Sequence, residues 1–392
     1  MRRLLVLVSV LVLVDAMLYS ALTPLLPHFA RELHLSKTAA GALVAAYAAG
    51  ALIGGLPGGR AAARLGPRRA VLVGLSLMAL SGIGFAFAGT FPTLLGARAI
   101  QGIGSAFTWA GAFAWLMVST PQGARGAVIG RAISAAVVGE LLGPVIGVVA
   151  GAIGRSAVFT ALSGLAVVLA VLTIRIDRDS VAESVEVTLK SALGARRFRS
   201  GLGVLAVASM LVGVLSVLGP LHLAAAGWGG AVIGATWLVG AGFEASAGPL
   251  IGRLSDARGA IALARLALMA SVPVSLGLAT GASPALYAPL VVLATVSYGA
   301  LFTPAFSLVS DGAENAGLAQ GMAFGLLNAA WAAGAMIGPA AAGAIAARTG
   351  DSVPFVIAAG CSVAALVFLR PSVGLPRSRG SRGASMKSRA AG

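Results

Sequence analysis

Apolar residues run through this chain in blocks of about twenty, separated by short clusters rich in arginine, glycine and proline. A helix of that length crosses a ~30 Å hydrocarbon layer. Backbone inside such a layer must satisfy its own hydrogen bonds, so helix is the predicted state of every block. The hydropathy pattern places twelve spans near 4–27, 38–58, 70–89, 93–118, 126–151 and 156–174, then 201–225, 230–251, 260–281, 285–309, 318–346 and 352–370. The first is expected to remain as a membrane helix. Its apolar stretch is too long for a signal peptide, Asp15 interrupts it, and no small-x-small cleavage site is evident.

The pattern also repeats. Gly139, Gly143, Pro144 and Gly147 in GELLGPVIG recur as Gly334, Gly338 and Pro339 in GAMIGPAAAG, and GRAAARLG from Gly59 recurs as GRLSDARG from Gly252. Duplicated membrane-spanning halves are the architecture of secondary transporters, in which one half rocks against the other around a central site. The predicted organisation is an all-α integral membrane protein. An N-terminal six-helix half covers 1–174, a connector 175–200, a C-terminal six-helix half 201–370, and a basic tail 371–392 that is expected to be disordered. The connector's acids Asp177, Asp179, Glu183 and Glu186 precede a basic cluster, a pattern that fits a short helix lying on the membrane surface.

Composition agrees with a membrane protein. Hydrophobic residues make up 58% of the chain, charged residues 10%, and the 54 glycines suit helices that must approach closely without a hydrophobic driving force. The net charge of +16 invites a nucleic-acid reading, but its distribution argues for topology. Of the 28 Lys and Arg, 23 fall at the two ends and in every second loop, all on one side. That side, with both termini, is therefore expected to be cytoplasmic in a cell membrane. Cys361 stands alone in an apolar run and reads as a small buried filler.

Three acids and one base fall well inside predicted spans: Asp15, Glu140, Glu244 and Arg98. A charge at mid-bilayer costs about 2.5–3.5 kcal/mol on insertion scales, so such residues are normally paired, cavity-facing and functional. Asp15 lies about eleven residues into its span, roughly 17 Å deep and near the midplane, where ionisation is costly and a proton carrier is well placed. Helical spacing puts Gly102, Ser105 and Trp109 on the face of Arg98, a stripe fit to line a cavity. Arg98 cannot titrate, so its expected role is to pair with an ionised acid and release it on protonation. Glu140 shares a face with Pro144, Gly147 and Gly151, where the glycines let another helix pack backbone-close. Tyr19, four residues after Asp15, joins the expected substrate cavity, as do Tyr298 and Phe302 in the tenth span. Core packing is the competing explanation for most of the aromatics, including Phe306, Phe324 and Trp331. His222 reads as an interfacial hydrogen bonder, and His28 and His34 show no metal-ligand spacing.

Four motifs give the chain a resemblance to the major facilitator superfamily, and to its twelve-helix drug:proton antiporter branch. DAMLYSALTPLLP from Asp15 resembles the branch's first helix, GRAAARLGPRR from Gly59 the family's loop between helices 2 and 3, RAIQGIGSA from Arg98 its fourth-helix motif, and GELLGPVIG the fifth-helix motif associated with antiporters. The resemblance implies gating roles for Gly59, Arg64, Gly66, Arg68, Arg69, Gly139, Gly143, Pro144 and Gly147, and for their second-half counterparts Gly252, Asp256, Arg258, Gly338 and Pro339. Arg64, Arg68 and Arg69 are expected to hold helix C-terminal carbonyls and acids of the other half. One departure is Ala63, where the family's loop usually holds an acid; the second-half copy keeps Asp256. In the resembled fold the fifth helix meets the eighth, which would bring Glu140 near Glu244 and let the two carboxyls share a proton.

No Gly-rich Lys-Ser or Lys-Thr phosphate loop, Cys/His cluster, serine elbow or Rossmann unit is present, so the expectation is a carrier without cofactor or metal, driven by an ion gradient, most simply of protons. The leading reading is a monomeric efflux antiporter that exchanges a small amphipathic or hydrophobic compound for protons. A proton-coupled importer of a sugar, amino acid or organic anion would use the same architecture, with Arg98 as ligand for an anion. A non-transporting membrane sensor finds little support in two intact gating halves.

Overall fold

The computed structural model describes residues 2–121, 125–176, 194–316 and 320–369. Most of the connector and the basic tail lie outside the described residues, and so do the side chains of Asp256 and Phe324. The described chain is helical, with α1 (Arg2–Ser20), α2 (Leu22–Glu32), α3 (Lys37–Arg64), α4 (Pro67–Phe87), α5 (Phe91–Ser119), α6 (Arg125–Ile153) and α7 (Arg155–Arg175) in the first half. The second half contains α8 (Arg196–Ala225), α9 (Gly230–Arg258), α10 (Ala260–Ala279), α11 (Pro284–Gly299), α12 (Phe302–Asn315), α13 (Gln320–Thr349) and α14 (Ser352–Phe368).

Taken end to end, α1 with α2 and α11 with α12, these segments form twelve helices, as the hydropathy pattern predicts. Ten are long and apolar enough to cross a membrane. The other two are α14, which has 17 residues, and α9, whose apolar run is diluted by Glu244, Arg253, Asp256 and Arg258.

The sequence reading draws the first and tenth spans as continuous, whereas each is broken once. Both breaks have the same cause. Pro24 has no N–H to return to the Ser20 carbonyl, and Pro304 none for Ala300, so the helix ladder loses a rung one turn before each proline. Elsewhere the ends are well defined. Ser36 caps α3 by accepting from the Ala39 N–H at 3.2 Å, and Thr90 and Thr93 cap α5 reciprocally.

Backbone-close packing sets the geometry of the first half. Along α3, Gly50, Gly54 and Gly58 rest on Ala99, Ile103 and Phe107 of α5, and Gly102 of α5 rests on the Tyr47 carbonyl of α3. A side chain at any of these positions would drive the two backbones apart. The Gly139, Gly143 and Gly147 stripe of α6 packs on Leu13, Met17 and Ala21 of the first span. Its repeat on α13, Gly334 and Gly338, packs on Ala206 and Met210 of α8 in the same way. The close partner of each stripe thus lies in its own half. The expected meeting of the fifth and eighth spans does occur, at a different place: Pro144 and Val148 of α6 lie beside Gly234 of α9.

The other repeat is equally local. Gly66 and Gly259 both open the next helix with positive φ, 94° and 86°, a conformation that favours glycine. Arg68 donates to the Ile174 carbonyl at the end of α7, and Arg265 of α10 donates to Leu366 O at 3.0 Å and Leu369 O at 2.5 Å at the end of α14. Each half therefore ties its third span to the C-terminus of its sixth by an arginine, which also matches the negative end of the helix dipole.

Replacing Gly102 with Leu should destabilise the protein by at least about 1–3 kcal/mol, since the added Cβ would meet the Tyr47 carbonyl and lie 2.8 Å from Ala51 N. Thermal unfolding in detergent checks this, with Gly96→Leu as the control because a Cβ there meets nothing within 4 Å.

Candidate functional site

Asp15 is 1% exposed on α1 and faces α3 and α5. Its Oδ2 accepts three hydrogen bonds, from the Ser105 hydroxyl at 2.7 Å, the Trp109 indole N–H at 2.7 Å and the Tyr47 hydroxyl at 3.1 Å. Tyr47 also stands 2.7 Å from Ser105 Oγ, which closes a small hydroxyl ring around the carboxyl. Asp15 Oδ1 is buried and has no hydrogen-bond partner among the described residues. The spacing of Ser105 and Trp109, one helical turn apart, lets both reach one oxygen from α5, and the Gly102 contact beneath Tyr47 brings the third donor from α3.

Arg98 lies two turns before Ser105 on α5 and is 2% exposed. The sequence reading pairs it with an acid. Among the described residues it binds no carboxylate: its terminal nitrogens donate to Gln101 Oε1 at 2.8 Å, Tyr19 O at 2.8 Å and Leu18 O at 3.4 Å. The carbonyls become available because the first span breaks just beyond them. The guanidinium also sits over two rings, 4.9 Å from the Tyr47 centroid and 5.3 Å from that of Tyr19. Cation–π contact and neutral acceptors together hold the charge without consuming Asp15.

Aromatic rings complete the site and reach the second half. Tyr19 and Tyr47 lie 4.7 Å apart, and Trp331 of α13 meets them edge-on at 5.7 and 6.3 Å. Trp109 stacks on Phe113 at 5.3 Å. Tyr47 was not among the residues the sequence singled out, yet it touches Asp15, Ser105, Arg98, Tyr19 and Trp331. The available signal was a tyrosine hydroxyl in the middle of the Ala- and Gly-rich third helix, where a polar group needs a partner.

The remaining candidates fall elsewhere. Tyr298, expected in the substrate cavity, is instead 1% exposed in the packing between α10 and α11, where its hydroxyl bonds Ser275 Oγ at 2.7 Å. Phe302 is half-buried and lies 6.5 Å from Phe306. Glu140 is exposed, and its carboxyl takes no hydrogen bond among the described residues, although Ser20 Oγ donates to its backbone carbonyl at 2.9 Å. The Glu244 carboxyl of α9 lies against Gly299 of α11, in space a Cβ there would need. No hydrogen bond joins the two glutamates among the described residues. Arg64 and Arg69 are exposed, and a Cβ at Gly59 or Gly252 would meet nothing within 4 Å.

At the end of the bundle opposite the termini, the two halves are in contact. Gly41 of α3 lies on Pro339 and Gly343 of α13, and Pro24 of α2 on Gly230 of α9. Lys37, at the start of α3, pairs with Asp351, at the start of α14, and Asp351 also has His222 Nδ1 at 3.9 Å. None of these polar residues except His222 was picked out from the sequence.

The model of the Major Facilitator Superfamily matches residues 8–323. The chain belongs to that superfamily. It is a membrane transporter and not an enzyme. The D-xylose-proton symporter superposes with a TM-score of 0.75 at 16% identity, covering 94% of this chain and 96% of that one. The nucleoside transporter NupG gives 0.74 at 15%, covering 93% and 98%. A bacterial homolog of the human lysosomal transporter Spinster gives 0.71 at 14%, covering 93% and 94%. At these identities the likeness establishes the fold alone. In sequence, the transporter is similar to the probable vesicular acetylcholine transporter-B of Danio rerio, 37% identical over 114 residues. That match spans 27% of this chain and 23% of the zebrafish protein.

The Lys37–Asp351 pair is partly exposed, so it should contribute up to about 1 kcal/mol to closure of this end. With Cys361 replaced by Ala and a cysteine placed at buried Ala346 near this end, Asp351→Asn should raise maleimide labelling of the purified transporter by up to about five-fold. The exchanged pair, Lys37→Asp with Asp351→Lys, should bring labelling back.

Proposed function

We propose that this transporter is a proton-coupled antiporter that exports a small amphipathic or hydrophobic compound by alternating access, with Asp15 as the proton carrier. The observation that carries the reading is the asymmetric carboxyl of Asp15. Three donors converge on Oδ2 and favour the ionised acid, while buried Oδ1 is left free to take a proton. A carboxyl so arranged has reason to exist in both states, and a purely structural Asp would have both oxygens satisfied. Arg98 offsets the charge from two tyrosine rings away without locking it into an ion pair.

The substrate class is read from the aromatic and acidic side chains near Asp15. Tyr19, Trp109 and Trp331 offer aromatic edges and faces, and exposed Glu140 adds an unpaired acid, which together suit an amphipathic solute carrying a positive charge. The zebrafish relative is named for acetylcholine, which agrees with that class. The two halves, 1–174 and 201–370, act as the rocking bodies, and the transporter works as a monomer in a cell membrane. Both termini face the cytoplasm, because 23 of 28 Lys and Arg lie on their side. Reporters fused after Arg370 and within 177–193 should both read inside, and one after Leu33 outside.

The test uses proteoliposomes loaded with ethidium as probe. Acidifying the compartment into which ethidium is expelled should drive its movement for the native transporter, and acidifying the opposite side should not. Asp15→Asn keeps the volume but cannot ionise, so it should reduce proton-driven flux by at least about 100-fold while leaving the folded yield unchanged. Native-like, pH-driven flux in this variant would remove Asp15 from the mechanism, and flux in the direction of the proton gradient would replace export with import.

A further inference from the structure

We propose that Tyr47 is the positioning residue through which the state of the Asp15 carboxyl reaches the interface between the two halves, with its hydroxyl on the carboxyl and its ring edge-on to Trp331. The inference rests on Asp15 as proton carrier and concerns what that proton moves.

Ser105 and Trp109 each bring one hydrogen to Asp15 Oδ2, and Tyr47 has a single hydrogen to place either on that oxygen at 3.1 Å or on Ser105 Oγ at 2.7 Å. When the carboxyl gains a proton it becomes a donor, and its demand for incoming hydrogens falls. Trp109 cannot answer that change, because an indole N–H only donates. Ser105 answers by rotating a hydroxyl about its own Cβ, which disturbs nothing beyond the site. Tyr47 has its hydroxyl on a rigid ring, 3.1 Å from Asp15 and 2.7 Å from Ser105, so any change in its distance from the carboxyl moves the whole ring.

That ring is clamped on its other sides. The Arg98 guanidinium stands 4.9 Å from its centroid and is fixed in turn by the Leu18 and Tyr19 carbonyls and by Gln101. Tyr19 packs against it at 4.7 Å. The remaining neighbour is Trp331, at 6.3 Å and nearly perpendicular, and it alone in this cluster belongs to the second half. Arg98 is held within the first half, so a shift of the Tyr47 ring is transmitted toward Trp331. The same two helices meet backbone to backbone nearby, where Gly41 lies on Pro339 and Gly343. A small displacement at Trp331 therefore acts on a contact that tolerates no slack. The other titratable groups around the carboxyl are Tyr19 on its own helix, Arg98 on α5 and Glu140 on α6, and none of them touches α13 with a group that bonds Asp15.

The experiment follows the closed end with the Ala346→Cys, Cys361→Ala reporter in purified full-length transporter, measuring maleimide labelling between pH 5.5 and pH 8 after correction for the pH dependence of the maleimide reaction itself. The parent should change its labelling by at least about five-fold, the lower end of ordinary couplings between sites. Tyr47→Phe keeps the ring and loses the hydroxyl. It should fold with near-native thermal stability and still label, with a pH response reduced to less than about two-fold. Trp331→Leu leaves every hydrogen bond to Asp15 in place and should flatten the response likewise. A full pH response in both Tyr47→Phe and Trp331→Leu overturns the proposal. Asp15→Asn separates the two levels: if it abolishes the response while Tyr47→Phe does not, the proton carrier stands and the route through Tyr47 falls. If the parent shows no response, or Asp15→Asn retains it, the proton-carrier reading itself fails and takes the route with it.

Discussion

A carboxyl at mid-bilayer depth has no bulk water to solvate it, and much of the first half is organised around supplying Asp15 with substitutes. The donors come from α3 and α5, and they reach a single oxygen on α1 because those helices approach at backbone distance. Gly50, Gly54 and Gly58 on one side and Gly102 on the other remove the side chains that would hold the helices apart. The glycine content of the chain thus has a specific consequence: it sets the distance from Tyr47 to the carboxyl. Van der Waals packing replaces the hydrophobic effect as the force between helices, and the polar site depends on that packing being tight.

The break in the first span serves the same end. Pro24 interrupts the ladder just past Tyr19, and the carbonyls of Leu18 and Tyr19 turn to Arg98. A guanidinium in this position would ordinarily collapse onto the nearest carboxylate, and a tight ion pair would hold Asp15 ionised. Here two carbonyls, an amide oxygen and two tyrosine rings compete for it. The terminal nitrogens of Arg98 are thus held by neutral acceptors, and Asp15 keeps its hydroxyl and indole donors. One helix break and two aromatic residues account for the lack of an Asp15–Arg98 ion pair among the described residues.

How much of this was legible in the sequence depends on the range of the interaction. Twelve helices, the repeats and the depth of Asp15 follow from local hydropathy and from spacing along one chain segment. The face that carries Arg98, Gly102, Ser105 and Trp109 also follows, because helical periodicity alone places them together. Partners were a different matter. The glycines of GELLGPVIG were legible as a close-packing stripe, but which helix fills it is a long-range fact, and it proved to be α1. Tyr47 carried no charge to mark it and stood in an unremarkable small-residue helix, so its role became visible only when α3 lay against α5. Tyr298 failed in the opposite sense: its spacing with Phe302 fitted a cavity wall, and a serine across the helix pair claimed its hydroxyl. The Lys37–Asp351 pair joins residues 314 positions apart, and neither end shows a motif.

The two halves are alike in packing and unlike in chemistry. Each half ties an arginine of its third span to the end of its sixth, and each lays a glycine stripe of its fifth on its first. These shared contacts make each half a body that can move as a unit. Asp15, Arg98 and their donors occur only in the first half, whereas the second contributes a ring, Trp331, and the small-residue surface against which α3 rests. Between-half contacts near the closed end include Gly41 on Pro339 and Gly343, Pro24 on Gly230, and Pro144 and Val148 beside Gly234, with the Lys37–Asp351 pair at the rim. Small residues recur in these contacts, so the halves meet there at backbone distance. On the proposal that Asp15 carries the proton, its change of charge in low dielectric is the contribution to weigh against the partly exposed pair at the rim.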